Sequence, residues 1–167
     1  MEQLLSPRLV EKARQVIEKN RAAGRRIAVA ESCTGGLVCA ALTEIPGSSD
    51  VFEAGYVTYS DNAKMGALRV NEDVVGTFGA VSVATAWAMA QGALEASGAD
   101  VAVAITGIAG PGGGSATKPV GTVVFARAER DGDPDQVVAD SKQFDASDGR
   151  SGIRFQAAVC ALELLEP

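Results

Sequence analysis

Ile27-Ala28-Val29-Ala30-Glu31-Ser32-Cys33-Thr34-Gly35-Gly36 is the stretch on which the reading of this chain turns. Its first four residues form a short apolar run that predicts a buried strand, and the pattern Leu37, Val38, Ala41, Leu42, Ile45 after the glycines predicts a helix. A strand that passes through polar residues and two glycines into a helix presents unpaired N–H groups at one point, where anions and developing oxyanions are attracted. Ser32 and Thr34 bring hydroxyls to that point. The chemistry open here is phosphate binding, attack by a serine, or both. The plainer alternative is that Ser32 or Thr34 only caps the helix.

At 167 residues the chain suits one domain with a substantial core and no need of disulfides. The composition, 47% hydrophobic and 22% charged, is that of a globular protein. A net charge of -6 argues against a general polyanion-binding surface, so nucleic acid is not an expected partner and any phosphate ligand must be small and held locally. The start Met1-Glu2-Gln3-Leu4-Leu5-Ser6-Pro7 lacks the basic residues and long apolar run of a signal peptide, and no stretch approaches an uninterrupted membrane span. A cytoplasmic protein without membrane partners is expected. The three cysteines, Cys33, Cys39 and Cys160, have no zinc-type spacing, and no metal site is expected. There is no histidine, which removes the Ser-His-Asp and Cys-His routes to an activated nucleophile. If Ser32 is a nucleophile, a lysine must activate it.

Ser6-Pro7 opens a first helix with the stripe Val10, Ala13, Val16, Ile17, and Gly24 ends it. Pro46-Gly47-Ser48-Ser49 is a turn, and Val51 to Tyr59 has the β-branched and aromatic content of a second strand. Ser60 and Asp61 cap a short helix that runs through Lys64 to Leu68. Lys64 falls in its first turn, where the helix dipole mildly disfavours a cation; a solvated surface lysine is the default there. A further short helix runs from Asn71-Glu72-Asp73 to Gly79, and Ser82 caps a long alanine-rich helix that ends at Gly98. Asp100 to Ile105 alternates valine and alanine, as in a strand covered on both faces. The long loop from Thr106 to Pro119, with Gly110, Gly112, Gly113 and Gly114, reads as functional. Val120 to Arg127 and Gln136 to Phe144 form strands around Asp131-Gly132-Asp133-Pro134, and Ser147-Asp148 caps a last helix with the face Ile153, Ala157, Ala161, Leu162, Leu165.

This alternation predicts an α/β fold, a three-layer α/β/α domain with a mixed sheet of about five strands. In such sheets ligands collect where loops leave the carboxyl ends of the strands. Ser32 after the first strand, Tyr59 and Lys64 after the second, and Thr106 with its glycines after the third are expected to meet at one edge. The glycine loop is not a P-loop, because Gly114 is followed by Ser115-Ala116-Thr117-Lys118. Ser32 also lacks the flanking glycines of a hydrolase nucleophile elbow. Ser115-x-x-Lys118 with Ser60-Asp61-Asn62 imitates motifs of penicillin-recognising enzymes. Gly114 and Pro119 forbid the helix that such a serine needs.

Taken together, Glu31-Ser32-Cys33-Thr34-Gly35-Gly36, Tyr59-Ser60-Asp61-Asn62-Ala63-Lys64, Thr106-Gly107-Ile108-Ala109-Gly110-Pro111-Gly112-Gly113 and Lys118-Pro119-Val120-Gly121-Thr122-Val123 resemble the CinA C-terminal family, that of bacterial nicotinamide mononucleotide deamidases. The resemblance covers nearly the whole chain after the first helix. It implies a three-layer domain that hydrolyses the carboxamide of nicotinamide mononucleotide to nicotinic acid mononucleotide and ammonia, with no metal or cofactor. It also implies that Ser32 and Lys64 match the family's serine and lysine, that Tyr59 and Thr106 line the site, and that an arginine near the last helix assists. Three positions depart from the family pattern. Asp61 stands where Asn is usual, Arg69 stands where Gly is common, and Asp148-Gly149-Arg150 replaces Gly-Asp-Arg, which leaves Arg150 and Arg154 as rivals for that arginine.

On this reading Lys64 is the base that activates Ser32, provided burial keeps it neutral. The amides around Thr34, Gly35 and Gly36 hold the oxyanion, and the Gly110 to Gly114 loop closes over the nucleotide. Cys33 is the rival nucleophile. Either arginine would pair with Asp145 or Asp148, or with the substrate phosphate. The competing reading is a non-catalytic nucleotide-binding or regulatory module, since the family also occurs fused to a larger domain. Starting at Met1 with both Ser32 and Lys64, the chain is expected to be a free-standing enzyme, and a homo-oligomer is its expected state.

Overall fold

A computed structural model describes residues 3–167; Met1 and Glu2, the first residues of the start inspected for a signal peptide, lie outside the described residues. Five strands, β1 (Ile27–Glu31), β2 (Phe52–Val57), β3 (Val101–Gly107), β4 (Thr122–Glu129) and β5 (Ala139–Gln143), form one sheet in the order β2-β1-β3-β4-β5. β1 runs parallel to both β2 and β3, and β4 and β5 add an antiparallel pair, which gives the expected mixed sheet.

Among the described residues six helices cover it: α1 (Pro7–Ala23), α2 (Leu37–Thr43), α3 (Asp61–Leu68), α4 (Glu72–Phe78), α5 (Val83–Ser97) and α6 (Gly149–Leu164). Side-chain alternation sorts them into layers. On one face Ile27, Val29, Val103, Ile105 and Phe125 pack against Ala13, Val16 and Ile17 of α1, Val38 and Leu42 of α2, and Ile153, Ala157 and Leu162 of α6. On the other, Ala28, Ala30, Ala102, Ala104, Ala126 and Ala128 meet Ala86, Met89, Ala90 and Ala93 of α5, together with Leu68 at the end of α3. Alanine on the strands lets α5 approach the sheet closely. Extra methylenes in such a layer typically cost about 1–3 kcal/mol.

One very close approach is between helices. A Cβ built on Gly92 of α5 would lie 2.1 Å from the Leu68 carbonyl oxygen, so only glycine lets α3 dock there. α3 is therefore fixed against α5 backbone to backbone.

Most capping signals hold. Gly24 and Gly98 end α1 and α5 in the left-handed conformation, and the Ser60 and Ser82 hydroxyls accept N–H bonds from Ala63 and Thr85. α3 ends on Arg69 at φ 55, a left-handed conformation suited to glycine, which is the physical reason a glycine is at home at this position. The last helix starts differently from expectation. The Asp145 carboxylate accepts the Ser147 N–H and opens a short 3-10 turn, Ala146–Asp148, before α6 begins at Gly149. The second strand stops at Val57, two residues early; Thr58 keeps one bond to Glu31 O of β1, and Tyr59 leaves the sheet. Among the described residues no helix is long and apolar enough to cross a membrane.

Candidate active site

At the carboxyl edge of β1, β2 and β3 the chain encloses a cleft of about 240 Å³, with Ser32, Lys64, Tyr59, Thr106 and Arg150 in its lining. The predicted convergence is therefore present. Ser32 continues β1, its N–H donating to Ile105 O of β3 at 2.9 Å. Tyr59 follows β2, Thr106 ends β3, and Lys64 hangs from the first turn of α3.

Lys64 is not the surface lysine that its position favours by default. Only 1% of it is exposed. Its Nζ lies 3.1 Å from Ser32 Oγ and donates to Thr58 O at 2.9 Å. Burial holds its pKa below the ordinary lysine value, against the opposing pull of Asp61 and Cys33. A neutral amine at this spot can donate one N–H to Thr58 O and accept the Ser32 hydroxyl proton.

Cys33 also borders the cleft, but it is only 5% exposed. Burial first, with the Glu31 carboxylate adding to it, pushes its thiol up to about 11. At neutral pH it is a thiol rather than the reactive thiolate.

Thr34 is fully buried and its hydroxyl has no hydrogen-bond partner, so it does not cap α2. The cap is Glu31. Its carboxylate accepts N–H bonds from Gly36 at 3.2 Å, Val38 at 3.1 Å and Cys39 at 3.0 Å. The Gly35 N–H is turned inward to Ser32 O at 3.0 Å. The Gly35 and Gly36 amides, expected to face a ligand, are both engaged inside the loop in this structure. The neighbouring amides of Cys33 and Thr34 donate to no oxygen among the described residues.

The two arginines on α6 have different places. Arg150 lines the cleft, where it donates to Tyr59 Oη at 2.8 Å and to Gly110 O at 2.6 Å. Arg154 supports the loop from behind, donating to Cys33 O and Thr34 O, each at 3.1 Å. Among the described residues neither is in salt-bridge contact with a carboxylate. Asp145 accepts from the Ser147 N–H and Asp148 from Gln156 Nε2.

Gly110 is buried beneath Arg150, while Gly112 and Gly113 are exposed on the outer part of their loop. Thr106 Oγ1 donates to Ala80 O at 2.9 Å, which ties β3 to the Ala80-Val81 wall of the cleft. That wall, and Asp61 beside Lys64, add to the lining expected from the sequence. No residue type in Ala80-Val81 signals chemistry.

A profile of the CinA C-terminal domain matches residues 10–167. The chain belongs to the CinA C-terminal domain family. Among its CinA-family relatives, the nicotinamide-nucleotide amidohydrolase PncC of Enterobacter agglomerans is 50% identical over 143 residues, which cover 86% of this chain and 84% of that one. A protein of the same name from Pseudomonas putida is 49% identical over 83% of this chain and 82% of its own. Other CinA-family relatives are longer. The CinA-like protein of Mycolicibacterium gilvum is 49% identical over 86% of this chain, and the match spans 33% of its length. The crystal structure of the competence/damage inducible protein CihA from Agrobacterium tumefaciens superposes with a TM-score of 0.91 at 47% identity, covering 98% of this chain and 97% of that one.

Proposed function

We propose that this CinA-family protein hydrolyses the carboxamide of nicotinamide mononucleotide to nicotinic acid mononucleotide and ammonia, with Ser32 as nucleophile and Lys64 as its base. The observation that carries the mechanism is the 3.1 Å contact between a buried lysine amine and a serine hydroxyl in a chain without histidine. The substrate comes from the relatives named nicotinamide-nucleotide amidohydrolase, which the chain matches over most of both lengths.

In the first half-reaction Lys64 takes the Ser32 proton as Oγ attacks the carboxamide carbon. Negative charge gathers on the carbonyl oxygen, for which the unengaged Cys33 and Thr34 amides are the nearest donors in sequence. The C–N bond then breaks, and the proton held by Lys64 passes to the departing nitrogen, which leaves as ammonia. In the second half-reaction Lys64 deprotonates a water that attacks the nicotinoyl ester, and the acid is released with Ser32 regenerated. These steps require no metal or cofactor. Arg150, in the cleft and without a carboxylate partner among the described residues, is the side chain assigned to the substrate phosphate, with Tyr59 beside it.

Incubating the purified protein with nicotinamide mononucleotide and measuring ammonia tests the reading. Stoichiometric release of ammonia and nicotinic acid mononucleotide is expected. The longer CinA-like relatives, of which this domain spans about a third, favour one second reading, a nucleotide-binding module without catalysis. Tight nucleotide binding with no ammonia released would select it.

A further inference from the structure

Glu31 is buried to zero exposure on the residue directly before the proposed nucleophile. A buried carboxylate ordinarily has a cation or a metal beside it. Among the described residues Glu31 has no lysine or arginine in salt-bridge contact. It accepts instead from the backbone N–H groups of Gly36, Val38 and Cys39 at the start of α2, at 3.0–3.2 Å, and the Cys39 thiol also lies against it.

An ordinary capping serine or aspartate stands immediately before the helix that it caps. Glu31 reaches the helix from the end of β1, five to eight residues back in sequence. The intervening loop is thereby closed into a ring. One end is fixed by the sheet, through Ser32 N–H to Ile105 O at 2.9 Å, and the other by the carboxylate on α2. Gly36 completes the ring at φ 96, a conformation that only glycine adopts readily. With the Gly35 and Gly36 amides turned inward, Ser32 and Cys33 are left in the lining of the cleft.

We propose that the Glu31 side chain is a positioning residue for the reaction, one that holds Ser32 and its adjoining free amides in attacking geometry without touching the substrate. The same residue reaches the other half of the dyad through its main chain. Glu31 O accepts the Thr58 N–H at 2.8 Å, and Thr58 O in turn holds Lys64 Nζ. Changing the side chain therefore severs the Ser32 arm and leaves the Lys64 arm in place.

This inference rests on Ser32 as the nucleophile of the preceding section, and its test separates the two. Glu31→Gln keeps the shape but replaces one acceptor oxygen with an NH2 that faces a backbone N–H. The rate at which a fluorophosphonate probe labels Ser32, read by mass spectrometry across a pH series, should fall tenfold or more in this variant. The apparent pKa of labelling should stay at its wild-type value, because Lys64 keeps its surroundings. Wild-type labelling by Glu31→Gln would overturn the proposal. So would slow labelling with the apparent pKa moved toward that of free lysine, since that marks general loosening of the site. Because the probe carries no nucleotide, a wrong substrate assignment leaves this result standing. Should the variant not fold, amide hydrogen exchange on the wild type decides. Gly36, Val38 and Cys39 should exchange as slowly as amides inside α2, and rapid exchange at all three would overturn the ring.

Discussion

Lys64 Nζ and Ser32 Oγ lie 3.1 Å apart, although 32 residues separate them in the chain. The contact exists because Ser32 directly follows a central strand while Lys64 descends onto it from the first turn of α3, with Thr58 O fixing the amine from the other side.

The contact predicts how charge and proton transfer divide at position 64. An arginine keeps the charge but in a protein does not give up its proton. Lys64→Arg and Lys64→Met should therefore both lose about a hundredfold or more in kcat, the usual scale for a positioned acid or base. Wild-type kcat/KM should rise with pH through an apparent pKa below that of free lysine, in keeping with the lowered value set by burial. Substantial turnover by Lys64→Arg with a wild-type pH profile would return this lysine to an electrostatic role.

Neighbouring nucleophiles are separated by paired substitutions. Ser32→Ala should abolish ammonia release while leaving the thermal melt close to wild type. Cys33→Ala should keep most activity, because a thiol pushed up to about 11 is protonated at neutral pH. Activity lost in Cys33→Ala and kept in Ser32→Ala would move the assignment by one residue.

Arg150 and Arg154 should fail in different ways. Replacing Arg150 with alanine is expected to raise KM for the mononucleotide about tenfold or more, with little change for the phosphate-free riboside. Arg154→Ala withdraws the support of Cys33 O and Thr34 O and should lower kcat on both substrates alike. Steady-state kinetics on the two substrates checks both expectations. Equal losses on both substrates in Arg150→Ala would assign that arginine a structural role.

Stability should carry the mark of the buried amine. Between its lowered folded value and about 10.4 in the unfolded chain, the unfolded state binds more protons at Lys64, so stability rises with pH across that window. Lys64→Met lacks this contribution. Melting curves from neutral pH to about pH 10 should show the wild type gaining on the variant as pH rises. A difference that does not change with pH would mean that the amine keeps its ordinary proton affinity when folded.

Arg69 offers a stabilising change far from the chemistry. Its left-handed backbone at φ 55 costs an L-residue roughly 1–2 kcal/mol, part of which glycine's greater freedom in the unfolded chain takes back. Arg69→Gly should stabilise the protein by about 0.5–1 kcal/mol, or about 2–3 °C in Tm at this length, with kcat unchanged. A lower melting temperature would show that the arginine side chain holds more than its backbone costs.

What could be read without coordinates was what local pattern and chain order control. The Ser60 and Ser82 caps, the glycine ends of α1 and α5, and the valine-alanine alternation of β3 each depend on a few adjacent residues. Placing Ser32, Tyr59 and Thr106 at one edge needed only the rule that loops leave parallel strands on the same side. Glu31 escaped notice because its partners lie five to eight residues downstream, beyond the reach of any capping motif. Lys64 looked solvated because exposure in a first turn is the default, and its depth is set by the packing of α3 on α5. The inward turn of the Gly35 and Gly36 amides depends on dihedral angles that the residue names permit but do not choose.

The bare α-carbon of Gly92 has a consequence for how this protein tolerates change. α3 carries the amine that faces Ser32, and α3 rests on α5 through the contact of Gly92 with the Leu68 carbonyl. A side chain at position 92 would wedge the two helices apart and lift the Lys64 amine from Ser32, while the sheet beneath kept its register. Mutational drift on the outer helical layer can therefore silence the enzyme at a residue that borders no part of the cleft, and a survey confined to the cleft would pass over it.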